Sequence, residues 1–123
     1  MSKKIGLALG SGGARGFAHI GVLKVLEENN IKIDYSIGAV VGGLYASGKS
    51  VKDLEELVES TDWKRLTSFL DPQLKAGLFH GAKAQKFFEE YIGDLDFSDL
   101  KIPFVSVATD YRTGNAIIFN QGK

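Results

Sequence analysis

The sequence predicts an α/β sandwich with a mostly parallel central sheet flanked by helices, and three observations carry that prediction. Strand-like and helix-like segments run strand, helix, strand, helix, helix and, after an irregular stretch, helix, strand, strand. Such alternation sets parallel strands side by side with helices as crossovers. The first strand-like run, Ile5 to Leu9, is apolar on both faces, with Ile5, Leu7 and Leu9 against Gly6 and Ala8, the pattern of a strand covered on each side. Two strand-to-helix turns carry small residues, Gly10-Ser11-Gly12-Gly13-Ala14-Arg15-Gly16 and Ser36-Ile37-Gly38.

The elements follow in order. Ala14 to Glu28 reads as a helix whose apolar stripe is Ala18, Val22 and Val25, widened by Ile20, Leu23 and Leu26. Asn29-Asn30 stops it, and Ile31 to Tyr35 reads as a short second strand. Ile37 to Ser47 is the next helix, with Ile37, Val40, Val41, Leu44 and Tyr45 at helical spacing and Gly48 as its C-cap. Ser50 and Asp53 form a capping-box pattern before a helix that turns Val51, Leu54, Leu57 and Val58 inward. Asp62 to Leu66 adds a helical turn, and Thr67 to Gly81, broken by Pro72 and Gly77, is the least regular stretch. Ala82 to Ile92 is an amphipathic helix with Ala84, Phe87, Phe88, Tyr91 and Ile92 on its stripe. Phe104 to Thr109 and Ala116 to Phe119 are strands around the turn residues Arg112-Thr113-Gly114-Asn115.

Composition narrows the function. A chain of 123 residues with 44% hydrophobic residues is one domain or less. Fifteen basic residues balance fifteen acidic ones, and no basic run interleaves with aromatics, which argues against a nucleic-acid partner. The absence of cysteine excludes disulfides and thiolate chemistry. Glycines and Arg15 interrupt the N-terminal apolar stretch, so it reads as neither signal peptide nor transmembrane segment, and the expected placement is cytoplasmic. His19, His80, Asp94, Asp96 and Asp99 show no metal-ligand spacing, and neither a metal nor a cofactor is expected.

The two turns are the candidate chemistry. Free backbone N–H groups of the glycine loop can hold a developing negative charge, and a serine at the next turn can supply the nucleophile facing it. Four glycines in residues 10–16 exceed the needs of a plain turn. On its own, however, Ser36 before an apolar-periodic helix reads first as an N-cap. Arg15, opposing the helix dipole, reads as an ion-pair or anion contact. A nucleotide reading also exists: Gly10 and Gly12 fit part of a dinucleotide fingerprint, and Asp34 falls where a ribose-binding acid would sit at the end of the second strand. Phe69, Leu70, Leu74, Leu78 and Phe79 either pack over the sheet edge or form a flap in peripheral contact with lipid.

Gly6 to Leu23, Ser36 to Gly48 and Ile102 to Gly114 resemble, in that order, three blocks of the bacterial patatin-like phospholipases. The resemblance implies a serine acyl hydrolase acting on lipid esters, with the chain as the N-terminal part, residues 1–123, of a single hydrolase domain. It implies Ser36 as nucleophile, Gly12, Gly13 and Ser11 as oxyanion donors, and Gly10, Arg15, Gly16 and Gly38 as supporting residues. Two departures accompany it. The family elbow reads Gly-Thr-Ser-x-Gly, whereas Asp34-Tyr35 precede Ser36 here, as if about four residues of the strand were missing. The family's catalytic aspartate lies in a downstream Asp-Gly-Gly/Ala motif that this sequence does not contain, and Asp110 matches a different, non-catalytic position. The resemblance and its departures therefore imply a hydrolase portion or an inactive relative that binds acyl chains or a protein partner, beside the nucleotide-binding domain that the glycine loop and Asp34 suggest.

Overall fold

The computed structural model describes residues 3–38, 40–61 and 77–123, with residues 77–84 described as backbone only. Its elements are β1 (Gly6–Leu9), a 3₁₀ turn (Gly13–Phe17), α1 (Ala18–Glu28), β2 (Tyr35–Gly38), α2 (Val40–Ala46) and α3 (Val51–Ser60). Then come α4 (Gly77–Ile92), a second 3₁₀ turn (Phe97–Asp99), β3 (Phe104–Thr109) and β4 (Ala116–Phe119). The strand order is β1-β2-β3-β4, with the first three parallel and β4 antiparallel to β3. The α/β architecture and mostly parallel sheet agree with the sequence.

The helices cover one face of this sheet. Leu9 joins Ile20 and Leu23 of α1, Val41 and Leu44 of α2, and Val51, Leu54 and Leu57 of α3 in a single core. Leu23, Leu44 and Leu54 are its fully buried side chains. The α3 capping box forms as expected: Ser50 Oγ accepts from Asp53 N at 3.1 Å, and Asp53 Oδ2 accepts from Ser50 N at 2.7 Å. Asn30 ends α1 in the left-handed region at φ 55°, and Gly48 ends α2 at φ 100°.

Four expectations are corrected. The second strand is Tyr35–Gly38 rather than Ile31 to Tyr35, so α2 begins only at Val40. Helix α4 starts at Gly77, so His80 lies in a helix and not in the irregular stretch. Val22 and Val25, expected to lead the inward stripe of α1, are exposed, while Ile20 and Leu23, expected only to widen it, are buried. The opposite sheet face is bare among the described residues: Tyr35, Ile37, Val107 and Ile118 are exposed, and a groove of about 580 Å³ runs beside Tyr35, Ile37 and Val105. The helical turn at Asp62 to Leu66 and residues Phe69, Leu70 and Leu74 lie outside the described residues, as do the side chains of Leu78 and Phe79.

Where β2 sits follows from one aspartate. In the observed register Tyr35 pairs with Gly6, Ser36 with Leu7 and Gly38 with Leu9. Asp34 stays outside the strand, where Asp34 N donates to Ile5 O at 2.8 Å and Asp34 Oδ2 accepts from Ile5 N at 2.9 Å. Sliding β2 by two residues, the smallest step that keeps its faces, would bring Ser36 opposite Leu9 and put Asp34 on the core face opposite Leu7. Burying an unpaired carboxylate costs far more than burying a serine. The serine goes in.

Candidate active site

The site is built at the C-terminal ends of β1 and β2. Beyond Leu9 the chain leaves the sheet through Gly10-Ser11-Gly12-Gly13, all exposed, and enters the 3₁₀ turn. Gly13 has φ 55°, and a Cβ on Gly12 would lie 3.2 Å from Gly16 N, so these two positions carry the loop's demand for glycine. A Cβ on Gly10 or Gly16 would meet nothing within 4 Å. Two carbonyls of the loop are taken up: Gly12 O accepts from Arg15 N at 3.0 Å, and Gly10 O is 2.8 Å from His19 Nε2.

Arg15 falls inside the 3₁₀ turn and not in the first turn of α1, which begins at Ala18. The dipole argument for pairing its guanidinium therefore lapses. Its side chain is exposed, and among the described residues it makes no ion pair.

Ser36 is not at the strand-to-helix turn. It is the second residue of β2, two residues back from Gly38, about 7 Å at the rise of a strand. Being parallel, β1 and β2 advance together, so Ser36 lies level with Leu7 while the glycine loop begins only after Leu9. The residue is 3% exposed, and its buried Oγ has no hydrogen-bond partner among the described residues. Its backbone N–H donates to Pro103 O at 2.9 Å. The hydroxyl faces α2 beside Phe104: a Cβ on Gly42 would lie 3.2 Å from Ser36 Oγ and 3.2 Å from the Phe104 ring. Serine as an N-cap is overturned too, since it lies within a strand.

The turn itself belongs to Gly38. Its φ is 158°, and a Cβ there would sit 2.5 Å from Leu9 O. This is a close approach of the end of β2 to the end of β1, whereas α2 comes closest to the sheet at Gly42. Asp34 lies at the start of β2, beside Ile5, whereas the glycine loop follows the end of β1. The ribose-binding position needs the far end of the strand, and Asp34's carboxylate already holds Ile5 N, so the nucleotide reading loses its acid. Asp110, in the β3–β4 turn, accepts from Arg112 N at 2.8 Å. That bond, followed by one from the Thr113 hydroxyl, lowers its pKa and leaves it a weaker base.

The sequence marks Gly42 as a small residue opposite the apolar stripe of α2, where another backbone can come close, and the structure puts Ser36 and Phe104 there. Nothing in the sequence points to Phe104, which comes from a distant strand, or to the His19 tether. His19 lies nine residues after Gly10, a spacing with no general signature.

A mostly parallel α/β sheet with a glycine loop after its first strand defines the class, and comparison with known proteins places it further. The family model for patatin-like phospholipase matches residues 7–122. An NTE family protein of Mycobacterium tuberculosis is 36% identical over 126 residues, covering 98% of this chain and 35% of the relative. Patatin-like phospholipase domain-containing protein 6 of Homo sapiens is 37% identical over 128 residues, covering 96% of this chain and 9% of that protein. The chain belongs to the patatin-like phospholipase family. A chain in the crystal structure of full-length SpcU with full-length ExoU, from the type III secretion system of Pseudomonas aeruginosa, shares the fold. It does so with a TM-score of 0.56 at 16% identity over 95% of this chain and 35% of that one. This chain thus spans about a third or less of the length of these relatives.

Proposed function

We propose that this chain is the N-terminal, oxyanion-holding part of a lipid acyl hydrolase domain, and that in the arrangement it adopts it turns over no ester by itself. The family and the relatives named as phospholipases support the first half. One observation carries the second: the Ser36 hydroxyl is buried inside β2, level with Leu7. An attacking oxygen needs to come within about 3–3.5 Å of a carbonyl, and a hydroxyl without a base is a weak nucleophile. The exposed loop of Ser11, Gly12 and Gly13 is the part suited to a tetrahedral anion, with Gly10, Arg15, Gly16 and Gly38 as its frame. Lipid esters are the substrate class, and peripheral contact with a membrane follows from it. Among the described residues no helix is long and apolar enough to cross a membrane.

Fluorophosphonate labelling tests this reading, with hydrolysis of a short p-nitrophenyl ester as the second readout. The 123-residue chain is expected to give neither label nor turnover above its Ser36→Ala variant. Labelling that disappears in Ser36→Ala would establish Ser36 as an accessible nucleophile and remove the claim of inactivity.

A further inference from the structure

We propose that His19 is a positioning residue for the glycine loop, fixing the direction of the Ser11 N–H; the proposal rests on the reading of that loop as an anion holder. His19 is the second residue of α1, and its Nε2 lies 2.8 Å from Gly10 O. A carbonyl oxygen only accepts, so the ring donates from Nε2, and the neutral imidazole is the Nε2–H tautomer.

The peptide plane converts this contact into an orientation. In a trans peptide the carbonyl of one residue and the N–H of the next point in opposite directions, and the described chain has no cis bond. Drawing Gly10 O onto α1 therefore turns the Ser11 N–H away from α1. The bond from Arg15 N to Gly12 O likewise turns the Gly13 N–H away from Arg15. Two alternate peptide planes are thus each anchored by their oxygen, with their N–H pointing away from that anchor. Among the described residues neither donor is used in a backbone hydrogen bond outside the regular elements.

The two anchors differ in kind. The bond to Gly12 O is local and comes with the 3₁₀ turn, whereas among the described residues the Gly10 carbonyl has no backbone partner outside the regular elements. A Cβ there would meet nothing within 4 Å, and glycine leaves the backbone its widest freedom. The ring of His19 supplies the missing restraint. Preorganised donors hold charge better than donors that must first rotate into place.

The test is an ¹⁵N NMR titration of the 123-residue chain with diethyl phosphate, an unreactive tetrahedral anion. Wild type is expected to show Ser11 and Gly13 amide shifts that saturate together, with ring ¹⁵N shifts of the Nε2–H form. His19→Leu is expected to weaken binding about tenfold, the loss of one hydrogen bond to a charged group, and to lose the Ser11 shift while keeping that of Gly13. His19→Gln, whose amide can reach the same carbonyl, is expected to recover affinity to within about threefold, a rescue that mere filling of space would not give. Wild-type affinity and an intact Ser11 shift in His19→Leu would overturn the positioning role alone. Failure of His19→Gln to rescue would overturn it as well. A wild-type chain whose loop amides ignore the anion would overturn the loop reading and this proposal with it.

Discussion

Ser36→Ala probes the placement of the serine through stability. The hydroxyl is buried with no partner among the described residues, and the side chains on its face are the apolar Leu7, Leu9 and Phe104. A buried unsatisfied hydroxyl costs about 1–3 kcal/mol. Removing one oxygen forfeits a few dispersion contacts at about 0.1–0.2 kcal/mol each. The balance is a gain of about 1 kcal/mol, which few substitutions of buried residues give. Urea unfolding followed by circular dichroism measures it. With a slope of about 1.5 kcal/mol per molar, the midpoint rises by roughly 0.7 M and the slope stays fixed. A midpoint unchanged or lowered by Ser36→Ala would mean that the hydroxyl has a partner, and the argument from burial would fall.

Two further outcomes follow from the same geometry. Gly38→Ala forces a Cβ to within 2.5 Å of Leu9 O at a φ of 158°. It should cost about 2–3 kcal/mol by the same unfolding assay; a loss below about 0.5 kcal/mol would show that the approach of Gly38 to Leu9 of β1 is looser. Hydrogen bonds from the Ser50 side chain and then the Ser50 N–H lower the Asp53 pKa from 3.8. A carboxylate depressed in the folded state stabilises above its unfolded pKa and ceases to as pH falls through the folded value. Asp53→Asn should therefore lower the thermal midpoint at pH 7, and the gap to wild type should narrow below about pH 4. A gap that stays constant down to pH 2 would detach the effect from ionisation.

What the sequence disclosed was mostly local. Ser50 and Asp53 announce α3 because the capping box is satisfied within four residues. The β3–β4 hairpin announces itself through strand-forming residues around Gly114, which sits at φ 73°. The second strand resisted because Ile31 to Gly38 alternates well enough to supply a strand at either end. The choice depends on Asp34 meeting Ile5, a contact across 29 residues. The covered-strand pattern misled for a related reason. Gly6 and Ala8 are compatible with a neighbouring layer without requiring one, and the described helices all pack against the Leu9 side. For the site, the loop was legible as a glycine cluster, and the position of Ser36 was not, since it is set by register.

That contrast separates the two halves of acyl transfer. On the proposed reading the anion-holding half draws on β1, a few glycines and anchors within the next ten residues, Arg15 N and His19 Nε2. Presenting the nucleophile is non-local. Parallel strands advance by about 3.3 Å per residue, so a serine two places short of the strand's end is withdrawn by roughly two strand residues. The pleat then returns it to the core face. Gly38 inherits the turn because it alone tolerates Leu9 O, and Gly42 lets α2 close over the serine. Restoring the nucleophile would therefore take residues added to β2 ahead of Ser36, with Asp34 kept outside the sheet. Substitution at the serine itself cannot move it.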